Sequence, residues 1–360
     1  NINKALEDTR KRMGQFFKGN QILGRKGTIG CVSLEITQRC NLDCSLCYLS
    51  ESSALVTDMP IEELYRRLDE IINIYGPGTN VQISGGDPTL RDRGELLAIV
   101  RYARKIGLHP ALFTNGKKCS RELLEELSEA GLSDVAFHVD LTQNLKGYET
   151  EADLNKLRSE LIERARGLPL LVIFNTTVHE SNFKEIPAVV EFFIKNSDVV
   201  GMASFQLQAD TGRGILHQRP ELISLETVQK KVSQGAGNLL PWDTILIGHP
   251  KCHTYVPTLA VNGKAFGIID DSLIFSDFLR DFSHVTHDRR EGPTKIAWTY
   301  LKKCIQHPQW ILRALTYFLP RIWKIRKDII AGKGRTNKIS FFIQNFMDKD
   351  NLDSERIDAC

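Results

Sequence analysis

In the stretch ITQRCNLDCSLCYLS (36–50), cysteines stand at 40, 44 and 47, separated by three residues and then by two. Four cysteinates close a structural zinc or iron–sulfur site, whereas three leave one metal position open for chemistry. The same triplet also serves as a zinc knuckle, or as three unrelated thiols, with no catalysis at all. Two further motifs lie downstream. SGGDP (84–88) joins Ser84, Gly85 and Gly86 to the carboxylate of Asp87, and FTNG (113–116) sets Thr114 and Asn115 before a glycine, a pattern that alone marks a turn.

Positioning these groups requires a scaffold, and the chain shows a rhythm that supplies one. Short runs rich in β-branched and aromatic residues, at 31–37, 81–86, 110–116, 134–140, 170–178 and 201–208, read as strands. Helical patterns fall between them. The first follows Asp58 as N-cap, with Pro60 in its opening turn and Gly76 as its stop; later ones also end on glycine. Six strands alternating with helices predict parallel β/α units, an α/β partial (β/α)6 TIM-like barrel whose working face lies at the strand C-termini. A helix is expected around 3–18 ahead of it. After about residue 215 the rhythm breaks into a C-terminal α/β extension, with a hairpin turned on Asn262-Gly263. The expected units are therefore an N-terminal helical segment over 1–27, the barrel over 28–215 and the extension over 216–360.

A Cys-x3-Cys-x2-Cys loop after the first strand, followed by SGGDP and FTNG at the ends of the next two, resembles the radical S-adenosylmethionine (SAM) superfamily. The resemblance implies that Cys40, Cys44 and Cys47 hold a [4Fe–4S] cluster whose fourth iron is chelated by SAM. One electron then cleaves SAM to methionine and a 5′-deoxyadenosyl radical that abstracts hydrogen from substrate. It also implies that Gly85, Gly86 and Asp87 face the methionine part of SAM, with Ser84 beside them; relatives have Glu where Asp87 stands. Thr114 and Asn115 would sit near SAM, and Tyr48 would pack on adenine, although relatives often place that aromatic where Leu46 stands. Asp140, ending the fourth strand, would meet the SAM ribose or cap a turn. Arg213, in DTGRG (210–214), would hold the SAM carboxylate or a substrate phosphate, or be a solvated loop residue. Asn175 and Thr177 on the fifth strand, and Gln206 and Gln208 on the sixth, are further barrel-facing candidates.

Cys31 and Cys119 read as structural thiols. Cys252, flanked by His249 and His253, and the terminal Cys360 are the possible ligands of an auxiliary cluster, because the tail from 341 resembles that of the class D radical SAM enzymes, which include pterin methyltransferases and the tetraether lipid synthase. No residue stands out as a catalytic acid, base or radical quencher, so the catalytic set is unknown; Tyr255 and Cys252 are the available candidates.

Residues 295–335 hold ten Lys or Arg, one acid (Asp328) and three of the four tryptophans. Ile311, Leu315, Phe318, Ile322, Ile325 and Ile329 recur at helical spacing, with Arg313, Arg321, Lys324 and Asp328 on another face, and Pro320 kinks the helix or begins a second. Such a segment lies on an anionic membrane surface, or covers the barrel mouth with its charges solvated. A nucleic-acid patch fits the charge without any recognised motif, so no nucleic-acid partner is expected.

The totals set the remaining bounds. A 360-residue chain that is 42% hydrophobic and 25% charged builds a real core, and a net charge of +3 gives no global argument for polyanion binding. Eight unevenly spaced cysteines indicate a reducing, cytoplasmic compartment, peripheral at the inner face of the membrane if the basic segment docks there. No leader is evident; the chain begins without Met and stops on Cys360, as a trimmed chain would. The expected activity is radical C–H activation leading to C–C bond formation or methylation on a lipid or lipid-like substrate, with electrons from a flavodoxin or ferredoxin-type donor. The alternatives are a pterin or small-heterocycle methyltransferase, a peptide modifier, or a non-catalytic iron–sulfur or zinc module.

Overall fold

A computed structural model describes residues 2–213, 219–285, 293–305, 307–348 and 352–359. Its strands are β1 (Val32–Thr37), β2 (Asn80–Gly85), β3 (His109–Thr114), β4 (Asp134–His138), β5 (Leu171–Val178), β6 (Val200–Leu207), β7 (His253–Val261), β8 (Lys264–Gly267) and β9 (Thr336–Asn345). Its helices are α1 (Ile2–Met13), α2 (Ile61–Tyr75), α3 (Arg93–Lys105), α4 (Arg121–Ala130), α5 (Asn155–Ala165), α6 (Ile186–Lys195), α7 (Leu225–Gly235), α8 (Ser272–Phe282), α9 (Pro293–Cys304), α10 (Gln309–Lys324), α11 (Arg326–Ala331) and α12 (Ser354–Ala359).

β1 to β6 pair in chain order, every pair parallel, with a helix in each connection. This is the α/β partial barrel that the alternation predicts. Apolar residues of the strands and of α2 to α7 make one core, in which Leu64, Ile83, Phe137, Phe174 and Phe193 are fully buried. Each such side chain contributes about 1.5–3 kcal/mol by leaving water. Local signals fix the helix ends: the Ser120 hydroxyl accepts from Leu123 N at the start of α4, and Gly131 ends it at φ 106°. Gly76 likewise stops α2. Asp58 does not cap α2, however; Pro60 stands there, and the Asp58 carboxylate accepts from Thr37 Oγ1 at 2.6 Å and pairs with Arg39. The expected N-terminal helix stops at Met13 and tightens into a 3-10 turn over Gly14–Phe16.

The segment after 215 continues the same sheet. β9 lies parallel to β6, β7 runs antiparallel to β9, and β8 closes the hairpin. Asn262 (φ 50°) and Gly263 (φ 75°) both adopt the left-handed backbone that a tight two-residue turn needs. Val261 pairs with Thr336, the first residue of β9, so this turn lies where the parallel strands begin. α11 is tied there, with the Asp328 carboxylate accepting from Lys264 at 3.1 Å and Asn262 at 3.4 Å. α11 therefore sits at the end of the sheet opposite the cysteine loop, and α10 is held by α8 and by Asp270 just before it. The tail approaches the cysteine end: Asn345 N donates to Cys252 O, Arg356 donates to Asn345 O, and Asp210 N, just after β6, donates to Asp348.

α10 runs through Pro320 without ending, and the break falls at Ile325. Ile311, Leu315, Phe318 and Ile322 are exposed, whereas Ile325 is buried at the break. No helix among the described residues is long and apolar enough to cross a membrane.

Candidate iron–sulfur and SAM site

Cys40, Cys44 and Cys47 are free thiols on the loop that leaves β1 at the C-terminal end of the parallel strands. Backbone contacts hold that loop from several sides. Gly86 N donates to Thr37 O at 2.9 Å and Asp87 N to Arg39 O at 2.8 Å, on the approach to Cys40. Ser45 N donates to Thr142 O at 2.9 Å, and Arg213 N to Cys47 O at 2.8 Å. The loop is thus strapped to the ends of β2, β4 and β6.

The glycine pair has a structural task of its own. A Cβ on Gly85 would lie 1.9 Å from Thr37 O, and one on Gly86 2.2 Å from Arg39 O. Both positions are small because the stem of the cysteine loop packs against them. Gly212, within the DTGRG stretch, does the same on the other side: a Cβ there would stand 2.2 Å from Tyr48 O.

Asp87 is fully buried, and its carboxylate accepts from Thr89 N (3.0 Å), Thr89 Oγ1 (2.6 Å), Thr114 Oγ1 (2.9 Å) and Asn115 N (2.9 Å). With these donors in place it ties the end of β2 to the end of β3, and in this arrangement it does not face a SAM ammonium. Ser84 is paired with Ser33 across the strands at 2.7 Å. Asp140 is also fully buried, accepting from Thr142 N (2.9 Å), Thr177 N (2.6 Å) and Thr142 Oγ1, with His138 Nε2 at 2.8 Å. It locks β4 to β5 and is not open to a ribose. Burial alone would raise its pKa, but His138, Thr142 and the Thr177 amide hold it well below the usual carboxylate range. For His138, burial works downward but the Asp140 charge prevails and raises it. Arg213 pairs with Asp43 of the cysteine loop, so its guanidinium braces that loop instead of standing free for a carboxylate or phosphate.

Tyr48 remains a candidate for stacking: the residue is 56% exposed and its hydroxyl donates to Gly85 O at 2.9 Å, beside the glycine pair. The Asn115 side-chain amide reaches Cys40 Sγ at 3.8 Å and Asn41 Oδ1 at 2.7 Å. Asn175 and Gln208 are buried, Thr177 is engaged through its backbone with Asp140, and Gln206 points to Gln344 at 3.4 Å. The sequence reading missed Asp43, Thr142, His138 and the Glu151–Arg158 pair behind them; Asp43 is a spacer within the cysteine motif and the others belong to no motif, and their roles come from contacts across the barrel rim.

The thiols sense one another. Burial first, then Asp140, Cys47 and Cys40, push the Cys44 thiol up to about 12, and burial also raises Cys40. Burial thus favours the protonated form of Cys40 and Cys44, and the positive charge of bound iron would favour their thiolates. Three soft donors on one loop, with an amide N–H aimed at the first, fit a cluster that takes three cysteines. Among the described residues no three His, Cys, Asp or Glu side chains converge closely enough to hold a single metal ion.

Among the described residues no auxiliary metal site is gathered: Cys252 is disulfide-bonded, and Cys360 lies outside the described residues. The His249 ring packs on Phe16 with centroids 4.2 Å apart, and His253 stacks on Phe342 at 5.5 Å, its pKa lowered to about 4 by burial. Tyr255 shares a hydrogen bond with Ser340 at 3.0 Å, on the β7–β9 pair.

Residues 34–193 match the Radical SAM superfamily. That stretch, 160 of the 360 residues, is a radical SAM domain and contains the cysteine loop and the SGGDP and FTNG strand ends. The chain is 29% identical over 194 residues to the 7,8-dihydro-6-hydroxymethylpterin dimethyltransferase of Methanocaldococcus jannaschii, covering 52% of this chain and 38% of that one. It is 29% identical over 182 residues to the PqqA peptide cyclase of Bradyrhizobium diazoefficiens, covering 49% and 46%. Against the Fe-coproporphyrin III synthase of Methanosarcina barkeri it is 27% identical over 186 residues, covering 50% and 44%. The chain spans less than half the length of each of these relatives.

One consequence concerns Asn115. A hydrogen bond to a cluster sulfur favours the reduced, more negative state, so losing it lowers the reduction potential. Asn115→Leu is expected to lower it by about 50 mV, from about 1–1.5 kcal/mol for one such bond and one electron. A redox titration followed by electron paramagnetic resonance reads this directly; an unchanged potential would show that the amide does not reach the bound thiolate.

Proposed function

We propose that this protein is a radical SAM enzyme that activates an unreactive C–H bond. The observation that carries the reading is the trio of free thiols on one strapped loop at the strand C-termini, with the Asn115 amide directed at Cys40. A bound [4Fe–4S] cluster and SAM supply a one-electron cleavage that yields a 5′-deoxyadenosyl radical. This chain's own residues supply the rest. Cys40, Cys44 and Cys47 would hold three irons. Asp87 and Thr114 keep Asn115 beside Cys40, and Arg213, Asp43 and Thr142 fix the far half of the loop. Tyr48 offers an exposed ring next to the last cysteine for adenine. Electrons come from a flavodoxin or ferredoxin-type donor.

For substrate, the proposal is a lipid or lipid-like molecule, joined by a C–C bond or methylated. What supports it is the exposed apolar and basic surface of α9 and α10. The second reading, a pterin-type heterocycle, is favoured by the similarity to the pterin dimethyltransferase; a peptide substrate follows from the peptide cyclase in the same way. The test is anaerobic turnover with dithionite and SAM, scoring 5′-deoxyadenosine, then deuterium transfer into it from deuterated lipid, pterin or peptide. Absence of 5′-deoxyadenosine from iron-loaded protein would refute the enzyme reading, and transfer from pterin or peptide alone would refute the lipid one.

A further inference from the structure

α10 has two faces. On one, Trp310 packs edge-on to Phe282 with centroids 5.4 Å apart and donates to Asp281 at 2.8 Å; two turns on, Tyr317 donates to Asp270 at 2.8 Å under the Arg321 guanidinium. These contacts fix the helix on α8 and on the stretch that leads into it. On the opposite side, Leu312, Leu315, Phe318, Leu319, Ile322 and Trp323 are all exposed. At about 100° per residue they fall in one arc of about 140°. Trp298 and Leu301 of α9 are exposed as well.

The charges around this face decide what covers it. Among the described residues, the acids beside α10 and α11 are already engaged: Asp270 with Arg321, Asp277 with Arg280 and Arg313, Asp281 with Arg280, and Asp328 with Lys264. Lys302 and Lys303 of α9 and Lys327 of α11 make no ion pair among the described residues; nor does Lys324, which lies on the other side of α10. Lys302 lies over the Trp298 ring at 5.6 Å and Arg326 over Trp323 at 4.2 Å. The face is therefore apolar at its centre, flanked by unneutralised lysines on the adjoining helices α9 and α11, and bordered by two exposed indoles.

We propose that this face docks on an anionic phospholipid bilayer surface. The apolar arc enters the boundary between headgroups and acyl chains, the indoles rest at the same depth, and the lysines reach the phosphates with their stems along apolar surface. A nucleic acid would satisfy the cations and leave the wide apolar arc in water, so it fits less well. The inference concerns the anchoring of the protein, and it stands whether or not the substrate is itself a lipid.

The experiment is vesicle sedimentation with the full chain, using phosphatidylcholine alone and phosphatidylcholine with roughly a third phosphatidylserine. The expected result is capture by the anionic vesicles at low salt, weakened by high salt and by omission of the anionic lipid. Leu315→Glu/Leu319→Glu, at two exposed positions, is expected to reduce capture by at least about tenfold while its melting curve and SAM cleavage stay as in the parent. Failure of the parent to sediment with anionic vesicles, or unchanged capture of the variant, would overturn the proposal. So would a dimer, present without vesicles and abolished by the same variant, since a second copy would then cover the face. Sedimentation needs no cluster and no SAM. Loss of SAM cleavage with intact capture thus counts against the enzyme reading alone, and the converse against docking alone.

Discussion

Gly86→Ala is expected to leave a folded protein that loads its cluster roughly 10- to 100-fold less well, the range seen when the support behind metal ligands is removed. The cause is steric. The new Cβ would stand 2.2 Å from Arg39 O, 2.5 Å from Arg39 C and 2.7 Å from Gln38 O. These are backbone atoms and cannot rotate away, so the stem of the cysteine loop must move, and Cys40 is the next residue. The hydrogen bonds from Gly86 N to Thr37 O and from Asp87 N to Arg39 O would be lost with that movement. Gly30→Ala is the control, since nothing lies within 4 Å of its Cβ position and its backbone is not left-handed. Iron per chain after anaerobic reconstitution reads the effect. A Gly86→Ala protein that loads iron and cleaves SAM like the parent would show that the packing of these strand ends does not set the loop.

The second large effect is on stability. Glu151→Ala is expected to destabilise the protein by about 3–5 kcal/mol, because it leaves the Arg158 charge buried without its partner. Neither residue has any exposed surface. Arg158 also donates to Glu151 O at 2.7 Å and Val139 O at 2.9 Å, and Glu151 accepts from Asn182 at 2.7 Å and Leu141 N at 3.2 Å. The pair therefore holds the segment after β4 that contains Asp140 and Thr142, and Thr142 O in turn holds Ser45 of the cysteine loop. Replacing both residues with apolar ones of similar size is expected to recover much of the loss. Denaturant midpoints of the single and double variants check this; a single variant within about 1 kcal/mol of the parent would mean water reaches the pair.

What the chain discloses before folding depends on how local each signal is. The six parallel strands are legible because β-branched and aromatic runs are bounded by glycines and polar turns, and the observed strands fall within those runs or a residue beside them. Ser120 and Gly131 are legible for the same reason, since a cap acts within its own turn. Asp58 is not: its partners Thr37 and Arg39 belong to another element, and their pull outweighs the cap. Asp87 and Asp140 show the same limit at the site. The sequence places each carboxylate at a strand end, but the number of donors that converge on it is a property of the assembled rim. Those donors make both residues braces. The apolar stripe of α10 is legible as periodicity, yet which side packs is decided by Trp310 and Tyr317 meeting acids from another segment. That the tail after β9 approaches the cysteine end follows from β9 inserting parallel to β6, a pairing with no local signature.

The most direct measurement is iron and sulfide content, with SAM cleavage, of anaerobically prepared protein beside its Cys40/Cys44/Cys47→Ala variant. The account predicts about four irons and four sulfides per chain in the parent, as one cubane cluster requires, and none in the variant, which cleaves no SAM. Zinc without iron in the parent, or full iron and undiminished cleavage in the variant, would contradict it.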